Sequence, residues 1–458
     1  MARSVTNKAL DALLFAAGYG NAHAAFARQV NHAGRAQGIW RYDAASVYWW
    51  LRGRRPAEHV QIAMAETIAR KLSRPVEISE LGFVGTDLAD AAYPSTAGGA
   101  IDAAGRLWTL LAHRVNSPIG GVFHSGAALQ AAFAWRYDLP DPQVTRDGRP
   151  SLTAADIQPL HLLAGHFADL DRRHGGGSPH TRALMADLLA RQVIPMLHGA
   201  YADAVGRDLM RATAALCGQL AFMSYDAGEH GIAQHHVTIA LRLAKAADDR
   251  LYGAHLLANL ATQATYLGST RDAARLAEAA VEGAGRAPAA VRARLYTTAA
   301  SAYGRSGERR ACRAALAKAE RAVDRMRKDE SPQWVSYFSP AHLAGATLKC
   351  LSDLRLHRQA LRHASDAVTL ASPNARTRAL HSALIALTHA QAGDIEAACT
   401  WGREAARHAS QVSSARVTQR VQELTAVLNP HRAMADVHDL LSTLAPVPSS
   451  RPHPGPLK

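Results

Sequence analysis

A short pattern that recurs five times in the second half of the chain limits the possible folds more than any other feature. Each copy begins at a turn residue, has a small residue five positions later, and continues with small or apolar residues four and seven positions beyond that. The copies begin 40, 39, 48 and 38 residues apart. They are Gly228 with Ala233, Val237 and Ala240; Gly268 with Ala273, Ala277 and Ala280; Gly307 with Cys312, Leu316 and Ala319; Arg355 with Ala360, Ala364 and Ala367; and Gly393 with Ala398, Gly402 and Ala405.

This spacing places the small side chains of each copy on one face of an α-helix, where they let a neighbouring helix approach closely. A further helical pattern, such as residues 251–267 or 291–303, precedes each copy. Each copy is therefore the second helix of a hairpin, and hairpins that repeat at a regular step stack around a continuous core. The pattern predicts an all-α solenoid over residues 201–428.

The repeat resembles the tetratricopeptide repeat, whose consensus length of ~34 residues is shorter than the steps found here. The resemblance implies a concave groove lined by the first helix of each hairpin. In that family an asparagine near the position of Asn259 holds the backbone or the carboxylate of a bound peptide. A solvated interior would explain any one of the groove residues equally well. The expected ligand or peptide groove residues are Phe222, Tyr225, His255, Asn259, Thr262, Arg294, Thr297, Ser301 and His342.

The 48-residue step contains an insertion at residues 328–338 that is rich in aromatic side chains. A lid or a dimer contact is one interpretation of this segment. The other is a long loop whose Trp334 and Phe338 fill the core of the solenoid, and we favour it.

Near the N-terminus, residues 41–56 combine apolar anchors with a cluster of arginines. Asp43 can cap a helix at this point. The inward residues of that helix are Val47, Trp50 and Leu51, and the arginines that follow are Arg52, Arg54 and Arg55. Two helical patterns precede this helix, and a fourth runs over residues 56–72 with Ile62, Ala65 and Ile68 among its inward residues.

The unit over residues 1–83 resembles the lambda-repressor-like (Xre-type) helix-turn-helix domain. The resemblance is carried by Phe26-Ala-Arg-Gln-Val30 and by Val47-x-x-Trp50-Leu-Arg-Gly-x-x-Pro56. The chain departs from that family in the turn before the third helix, where roughly ten residues from Ala33 replace a tight connection.

The resemblance implies that the third helix enters the major groove of double-stranded DNA. Residues at its N-terminal end would then contact bases, and arginines would contact phosphates. Alternatively, the arginines form a solvated face that complements the helix dipole. The expected base-facing residues are Arg41, Tyr42, Ala44, Ala45 and Tyr48, and the expected phosphate-binding residues are Arg28, Arg52, Arg54 and Arg55.

Composition agrees with a helical protein that has an anionic partner. The 458 residues carry a formal net charge of +14, and 48% of them are hydrophobic. Because no apolar run reaches the ~18 residues of a membrane span and no signal peptide is evident, we expect a cytoplasmic protein without membrane contact. The four cysteines lie far apart in the sequence, which favours reduced, buried thiols.

Catalytic motifs are missing from the sequence. It has no His-Glu-x-x-His pair, no Gly-x-Ser-x-Gly elbow and no dinucleotide fingerprint after a strand. The three consecutive glycines at 175–177 lack the Gly-Lys-Ser/Thr ending of a phosphate loop. We therefore expect no catalytic residues, no metal and no cofactor.

The remaining sequence completes the domain organisation. We expect a linker at 84–100, a helical connecting region at 101–200, a capping helix at 429–444 and a disordered tail at 445–458. The combination resembles an actinobacterial group of transcriptional regulators with an Xre-type domain and tetratricopeptide repeats, with matching segments at 170–177, 222–231 and 257–268. It implies a homodimeric regulator that senses a peptide or small molecule or binds a protein partner. The alternative is a tetratricopeptide interaction scaffold without sequence-specific DNA binding.

Overall fold

A computed structural model describes residues 7–34, 40–52, 54, 56, 58–74, 76, 78–82, 92–113, 121–370 and 374–444. The chain divides into two compact units, Met1–Leu88 and Ala89–Lys458. In the described ranges, the regular secondary structure consists of helices. These residues form two isolated backbone bridges but no β-strand. The predicted all-α class, with a helical N-terminal domain followed by a solenoid-like array, is confirmed.

The first unit folds around one apolar core. Its helices are α1 (Lys8–Ala16), α2 (His23–Ala33), α3 (Ala44–Leu51) and α4 (Glu58–Leu72), followed by a short 3-10 helix (Ile78–Leu81). Leu10, Phe26 and Ile68 are fully buried in the core. The three predicted anchors of α3 are buried with them.

Side-chain hydrogen bonds fix the start of α3. The Asp43 carboxylate accepts the backbone N–H of Ser46 at 2.8 Å, so the predicted cap is confirmed. The Asn31 side chain on α2 donates to the Tyr42 carbonyl at 2.8 Å and accepts the Tyr42 N–H at 3.0 Å. These bonds join α2 to the end of the long turn, so α3 keeps a defined position relative to α2.

The predicted inward face of α4 is wrong at Ile62, whose side chain is 40% exposed. The core instead receives Val60, Met64 and Ile68, which follow one another at four-residue steps. Ile62 lies about half a turn away from that row, on the solvent side of the helix.

The second unit begins with helices that pack against the hairpins. These are α5 (Ala97–His113), α6 (Ser125–Tyr137), α7 (Ala154–His174), α8 (Pro179–Leu188) and α9 (Ile194–Leu197). α5 and α6 contact the first two hairpins, whereas α7 contacts both α10 near the beginning of the array and α19 near its end.

Six helical hairpins follow in the described part of the second unit. They are α10 (Asp203–Asp226) with α11 (His230–Ala246), α12 (Arg250–Tyr266) with α13 (Thr270–Ala284), α14 (Ala289–Ser306) with α15 (Arg309–Val323), α16 (Pro340–Asp353) with α17 (His357–Ala360) and α18 (Ala364–Val368), α19 (Ala375–Gln391) with α20 (Ile395–Ala409), and α21 (Ala415–Leu428) with α22 (Ala435–Leu444). The first helix of each hairpin contacts the first helix of the next, which produces a continuous inner row.

The backbone at the hairpin turns explains the repeated pattern. All five turn residues adopt left-handed conformations, with φ of 81° at Gly228, 86° at Gly268, 82° at Gly307, 59° at Arg355 and 89° at Gly393. The small and apolar residues that follow each turn are buried in every copy. Glycine is favoured at such turns because it has no Cβ to oppose a positive φ.

The insertion packs against the inner row. Val335 and Phe338 are buried, and the Trp334 ring lies 4.7 Å from the His255 ring and 5.6 Å from the Tyr252 ring. This agrees with the interpretation that the aromatic residues fill space inside the solenoid.

The four cysteines are buried and free, as expected. They are not all far apart in space, however, because Cys312 on α15 and Cys350 on α16 lie on helices that contact each other. Across the described part of the chain, no helix combines the length and the apolar character that crossing a membrane requires.

Candidate functional site

The inner row of helices surrounds a cavity of about 370 Å³ in the second unit. Its wall is built from α7, α10, α12, α14, α16, α19 and α21, together with part of the insertion. All nine side chains assigned to the groove line this one cavity. Its size falls in the range of small-molecule sites. The structure thus brings the nine residues together, and their role in binding stays a prediction.

The array curves back on itself, so the cavity lies inside a closed arrangement rather than along an open face. Arg376 on α19 donates from Nη1 to Asp171 Oδ1 on α7 at 2.6 Å. The same nitrogen lies 3.4 Å from Oδ2 of Asp226, the last residue of α10. The open groove implied by the repeat resemblance is therefore closed by contacts between residues 150 and 205 positions apart.

The three consecutive glycines form part of this closure. The Gly177 N–H donates to the Ser413 carbonyl at 2.7 Å, and the Ser413 N–H donates to the His174 carbonyl at 2.8 Å. Gly176 lies so close to α10 that a Cβ there would meet Met223 Cα at 2.5 Å. Glycine is needed here because the backbone at 175–177 lies directly against the backbones of Met223 and Ser413. This contact explains the three consecutive glycines, which do not fit a phosphate loop.

Asp226 is the centre of the buried closure network. Its carboxylate accepts the Gly176 N–H at 2.9 Å and the Ser414 hydroxyl at 2.8 Å, and it lies 3.4 Å from Nη1 of both Arg376 and Arg416. Burial raises the pKa of Asp171, although the charge of Arg376 opposes that shift. Because buried charges are costly unless they are paired and hydrogen-bonded, this network favours one fixed arrangement of the closure.

Two of the predicted groove residues stack against the closure arginines. The Arg376 guanidinium lies 4.9 Å from the Phe222 ring centroid, and Arg416 lies 4.8 Å from the Tyr225 ring centroid. Cation–π contacts of this kind hold a guanidinium in place. Phe222 and Tyr225 therefore support the wall of the cavity.

Asn259 connects two other predicted groove residues. Arg294 Nη2 donates to Asn259 Oδ1 at 3.2 Å, and Asn259 Nδ2 lies 3.3 Å from His255 Nε2. Arg294 Nε also donates to the Tyr337 hydroxyl at 3.1 Å. Burial, with a smaller effect from the charge of Arg294, lowers the pKa of His255 to about 3. His255 is consequently neutral at physiological pH.

The remaining predicted groove residues use their polar atoms within the wall. Thr262 Oγ1 donates to the Ala258 carbonyl, and Thr297 Oγ1 to the Arg294 carbonyl, both at 2.8 Å. Ser301 Oγ lies 3.8 Å from a cysteine sulfur on α16. His342 stacks on Phe338, and burial, followed by the charges of nearby His381 and Arg294, lowers its pKa to about 3.

Several cavity residues were missed by sequence reasoning. Asp171, Asp226 and Arg376 form the closure, of which Asp171 and Arg376 line the cavity, and Tyr252 adds an aromatic side chain to its wall. The first two lie in the sequence segments that resemble the regulator group, which was the one available signal. Nothing in helical periodicity indicates that a buried aspartate will meet an arginine on a distant helix.

In the first unit, most residues assigned to DNA lie on the surface. Arg28, Arg41, Ala44, Ala45, Tyr48, Arg52 and Arg54 are exposed. The described residues provide no acidic side chain in an ion pair with any of these arginines. Tyr48 is held by Arg52, which donates to its hydroxyl and lies over its ring at 5.4 Å. Residues 1–83 contain eleven lysines and arginines against six acidic residues, so this surface is cationic.

Two residues assigned to DNA differ from the rest. Tyr42 is half-buried, and its ring lies 5.3 Å from the Trp50 ring and 6.0 Å from the Trp40 ring. Its ring therefore packs against the core, which leaves less of it free for a base contact. Arg55 lies outside the described residues.

Comparison with known families gives one match, confined to the first unit. Residues 10–84 are similar to the family described as the SP15 N-terminal domain. The match extends from within α1 past the 3-10 helix. No curated protein matches the chain.

Proposed function

We propose that this chain is a sequence-specific transcription regulator. Its first unit acts as an Xre-type helix-turn-helix, and its second unit is a tetratricopeptide-like array that binds an effector. The observation that supports this most strongly is the two-sided character of α3. Val47, Trp50 and Leu51 are buried, while the opposite side is exposed and flanked by arginines. A helix that reads the major groove requires a fixed inner face and a free outer face.

In this proposal α3 contacts base edges through its N-terminal end, including Arg41, Ala44 and Ala45. Arg52 and Arg54 contact phosphates from the C-terminal end, and Arg28 does so from α2. Phosphate contacts position the helix, and base contacts give specificity. One such domain makes few base contacts, so we infer a homodimer whose two-fold symmetry sets the spacing of the DNA half-sites.

The cavity gives the second unit a means of responding to an effector in the cytoplasm. Its wall includes residues from the beginning, middle and end of the array. A ligand that contacts these helices together would favour one curvature of the array and would change the spacing of the DNA-binding units in the dimer. Actinobacterial regulators with the same order of domains suggest this arrangement.

A protein-interaction scaffold without sequence-specific DNA binding is the second candidate. It is favoured by an apolar group at the end of α6, where Phe133, Tyr137 and Leu139 are 66%, 64% and 88% exposed. Exposed apolar groups of this kind mark protein contacts more often than isolated exposed residues do.

DNA binding by the full-length protein distinguishes these functions. A sequence should be selected from a random DNA pool, and its affinity measured over a range of salt concentrations. We expect Arg54→Ala to weaken binding and to lower the slope of log affinity against log salt by about 0.9, because one phosphate contact is lost. Arg70→Ala, on the exposed side of α4, is the charge-matched control.

Two outcomes would sink the regulator proposal. One is a pool from which no sequence is enriched. The other is an Arg54→Ala variant whose affinity and salt slope equal those of the Arg70→Ala control. Light scattering of the free protein tests the dimer separately, and a monomer that binds its operator tightly would contradict that part.

A further inference from the structure

One cation in the cavity wall has no carboxylate partner among the residues that the structure describes. Six lysine and arginine side chains line the cavity. Five of them form ion pairs with acidic residues: Arg172, Lys349, Arg376, Arg416 and Arg420. Arg294 forms none with any residue that the structure describes. Its guanidinium is held by the Asn259 amide and by the hydroxyls of Tyr337 and Thr298. Its positive charge is therefore positioned without being neutralised.

The same contacts determine which nitrogen of His255 carries the proton. A guanidinium can only donate, so the Asn259 oxygen faces Arg294 and the Asn259 NH₂ group faces His255. His255 Nε2 must then accept, which places the proton of the neutral ring on Nδ1. His255 Nδ1 is buried and has no hydrogen-bond partner among the described residues. The wall thus contains, near Arg294, a ring N–H for which the described residues offer no acceptor.

Aromatic side chains surround this pair of donors. Trp334 lies on His255 with ring centroids 4.7 Å apart, and Tyr252 lies 5.6 Å from the same ring. Phe338 stacks on His342 with centroids 5.9 Å apart and planes inclined by 30°. A flat apolar group of a ligand would find stacking surfaces here.

From these contacts we infer that the cavity binds a small aromatic organic anion, of the carboxylate or sulfonate class, whose charged group pairs with Arg294. Arg294 gives the anion a charge-assisted hydrogen bond, while the neutral His255 ring and its aromatic neighbours line the cavity beside the apolar part of the ligand. The volume of about 370 Å³ matches a compact molecule rather than a long peptide. The inference rests on the proposed effector site and specifies its ligand class.

The test uses two fluorescent probes and the full-length protein. Anilinonaphthalene sulfonate is an aromatic anion, and phenylnaphthylamine is its uncharged analogue. Titration calorimetry and fluorescence should show the anion binding with one-to-one stoichiometry. We expect Arg294→Gln to weaken binding of the anion by about ten- to a hundredfold, because a hydrogen bond to a charged group is lost. Binding of the uncharged analogue should change by less than a factor of about two.

Three controls make the result specific. Arg310→Gln removes an exposed arginine on α15 that forms no ion pair with the described residues, and it should leave both affinities unchanged. Arg294→Lys retains the charge and should recover part of the lost affinity. If Arg294→Gln fails to fold, this variant still tests the role of the charge. Benzoate should displace the bound anion, whereas benzamide, its uncharged counterpart, should not.

The inference is overturned by any of three results. These are an anion that shows no saturable one-to-one binding, equal binding of the anion by Arg294→Gln and Arg310→Gln, and an equal loss of affinity for both probes. DNA binding by the same proteins is measured separately. An intact DNA complex with no anion selectivity would reject the ligand class alone, whereas absent DNA binding with a selective anion site would reject the regulator proposal alone.

Discussion

Arg376 Nη1 lies 2.6 Å from Asp171 Oδ1, and this contact joins two helices whose residues are 205 positions apart. Both side chains are almost completely buried. The contact joins the end of the helical array to its beginning beside the cavity, so this part of the cavity wall depends on how the successive hairpins curve.

Removing Arg376 should destabilise the protein strongly. We expect Arg376→Met to lower the free energy of unfolding by ~3–5 kcal/mol, because the buried Asp171 would lose its cation and Asp226 would retain only Arg416. Urea unfolding followed by circular dichroism measures the change. Arg358→Met, at an exposed position on α17, is the control. In a double-mutant cycle with Asp171→Asn, strictly additive losses would contradict a direct interaction between the two side chains.

The backbone contact at Gly176 gives a second prediction. Gly176→Ala should lower the free energy of unfolding by ~1–3 kcal/mol, because the new methyl group would meet the backbone of Met223 at 2.5 Å. Gly126→Ala, near the start of α6, is the matched control, since its Cβ would have no atom within 4 Å. Equal effects of the two substitutions in urea unfolding would show that the α7–α8 connection can move away from α10.

Arg355 is the one turn residue of the five repeats that is not glycine, although its φ is 59°. Arg355→Gly should raise the free energy of unfolding by ~0.5–1 kcal/mol, because relief of the left-handed strain exceeds the added entropy of the unfolded chain. The converse change, Gly393→Ala, should cost ~1 kcal/mol. Thermal unfolding compares both variants with the wild type, and a lower melting temperature for Arg355→Gly would contradict the explanation.

Acid should destabilise the array through histidines that stay neutral when buried. Burial, followed by the charge of His235, lowers the pKa of His236 to about 3. As the pH falls below ~6.5, His236 becomes protonated in the unfolded chain but stays neutral in the folded chain. The free energy of unfolding therefore decreases from that pH towards pH 3. His236→Gln should reduce this slope by up to ~1.4 kcal/mol per pH unit. The check is urea unfolding at pH 5, 6 and 7, with His438→Gln on the exposed side of α22 as the control. An unchanged slope in His236→Gln would mean that the pKa of His236 is the same in the folded and the unfolded chain.

Much of the fold could be predicted because helices and their turns are local features. The turn residue and the small residues after it determine where each hairpin reverses and which face it buries. The same register placed all nine proposed groove residues on the wall of one cavity, since consecutive first helices turn the same face inward. Ile62 shows the limit of this reasoning, because the packing of α4 against its neighbours decides which side of the helix faces the core, and the core-facing row is Val60, Met64 and Ile68.

The closure could not be predicted in this way. Asp171, Asp226 and Arg376 are ordinary charged residues in the sequence, and their pairing depends on how far the array curves between α10 and α19. Small differences in packing between successive hairpins add up to the overall curvature of the array. The sequence of a single hairpin therefore does not determine that curvature. The aromatic insertion was visible in the sequence, but its contact with His255 depends on the same curvature.

The sequence by itself determined the helical hairpins, their turns, the inward residues of α3 and the cationic character of the first unit, because each depends on residues close together in the chain. The tertiary structure decided that the array closes, that Arg376 meets two aspartates, and that Arg294 alone among the described cavity cations has no carboxylate partner. These relationships join residues far apart in the chain, and only the packed structure brings such residues within hydrogen-bonding distance.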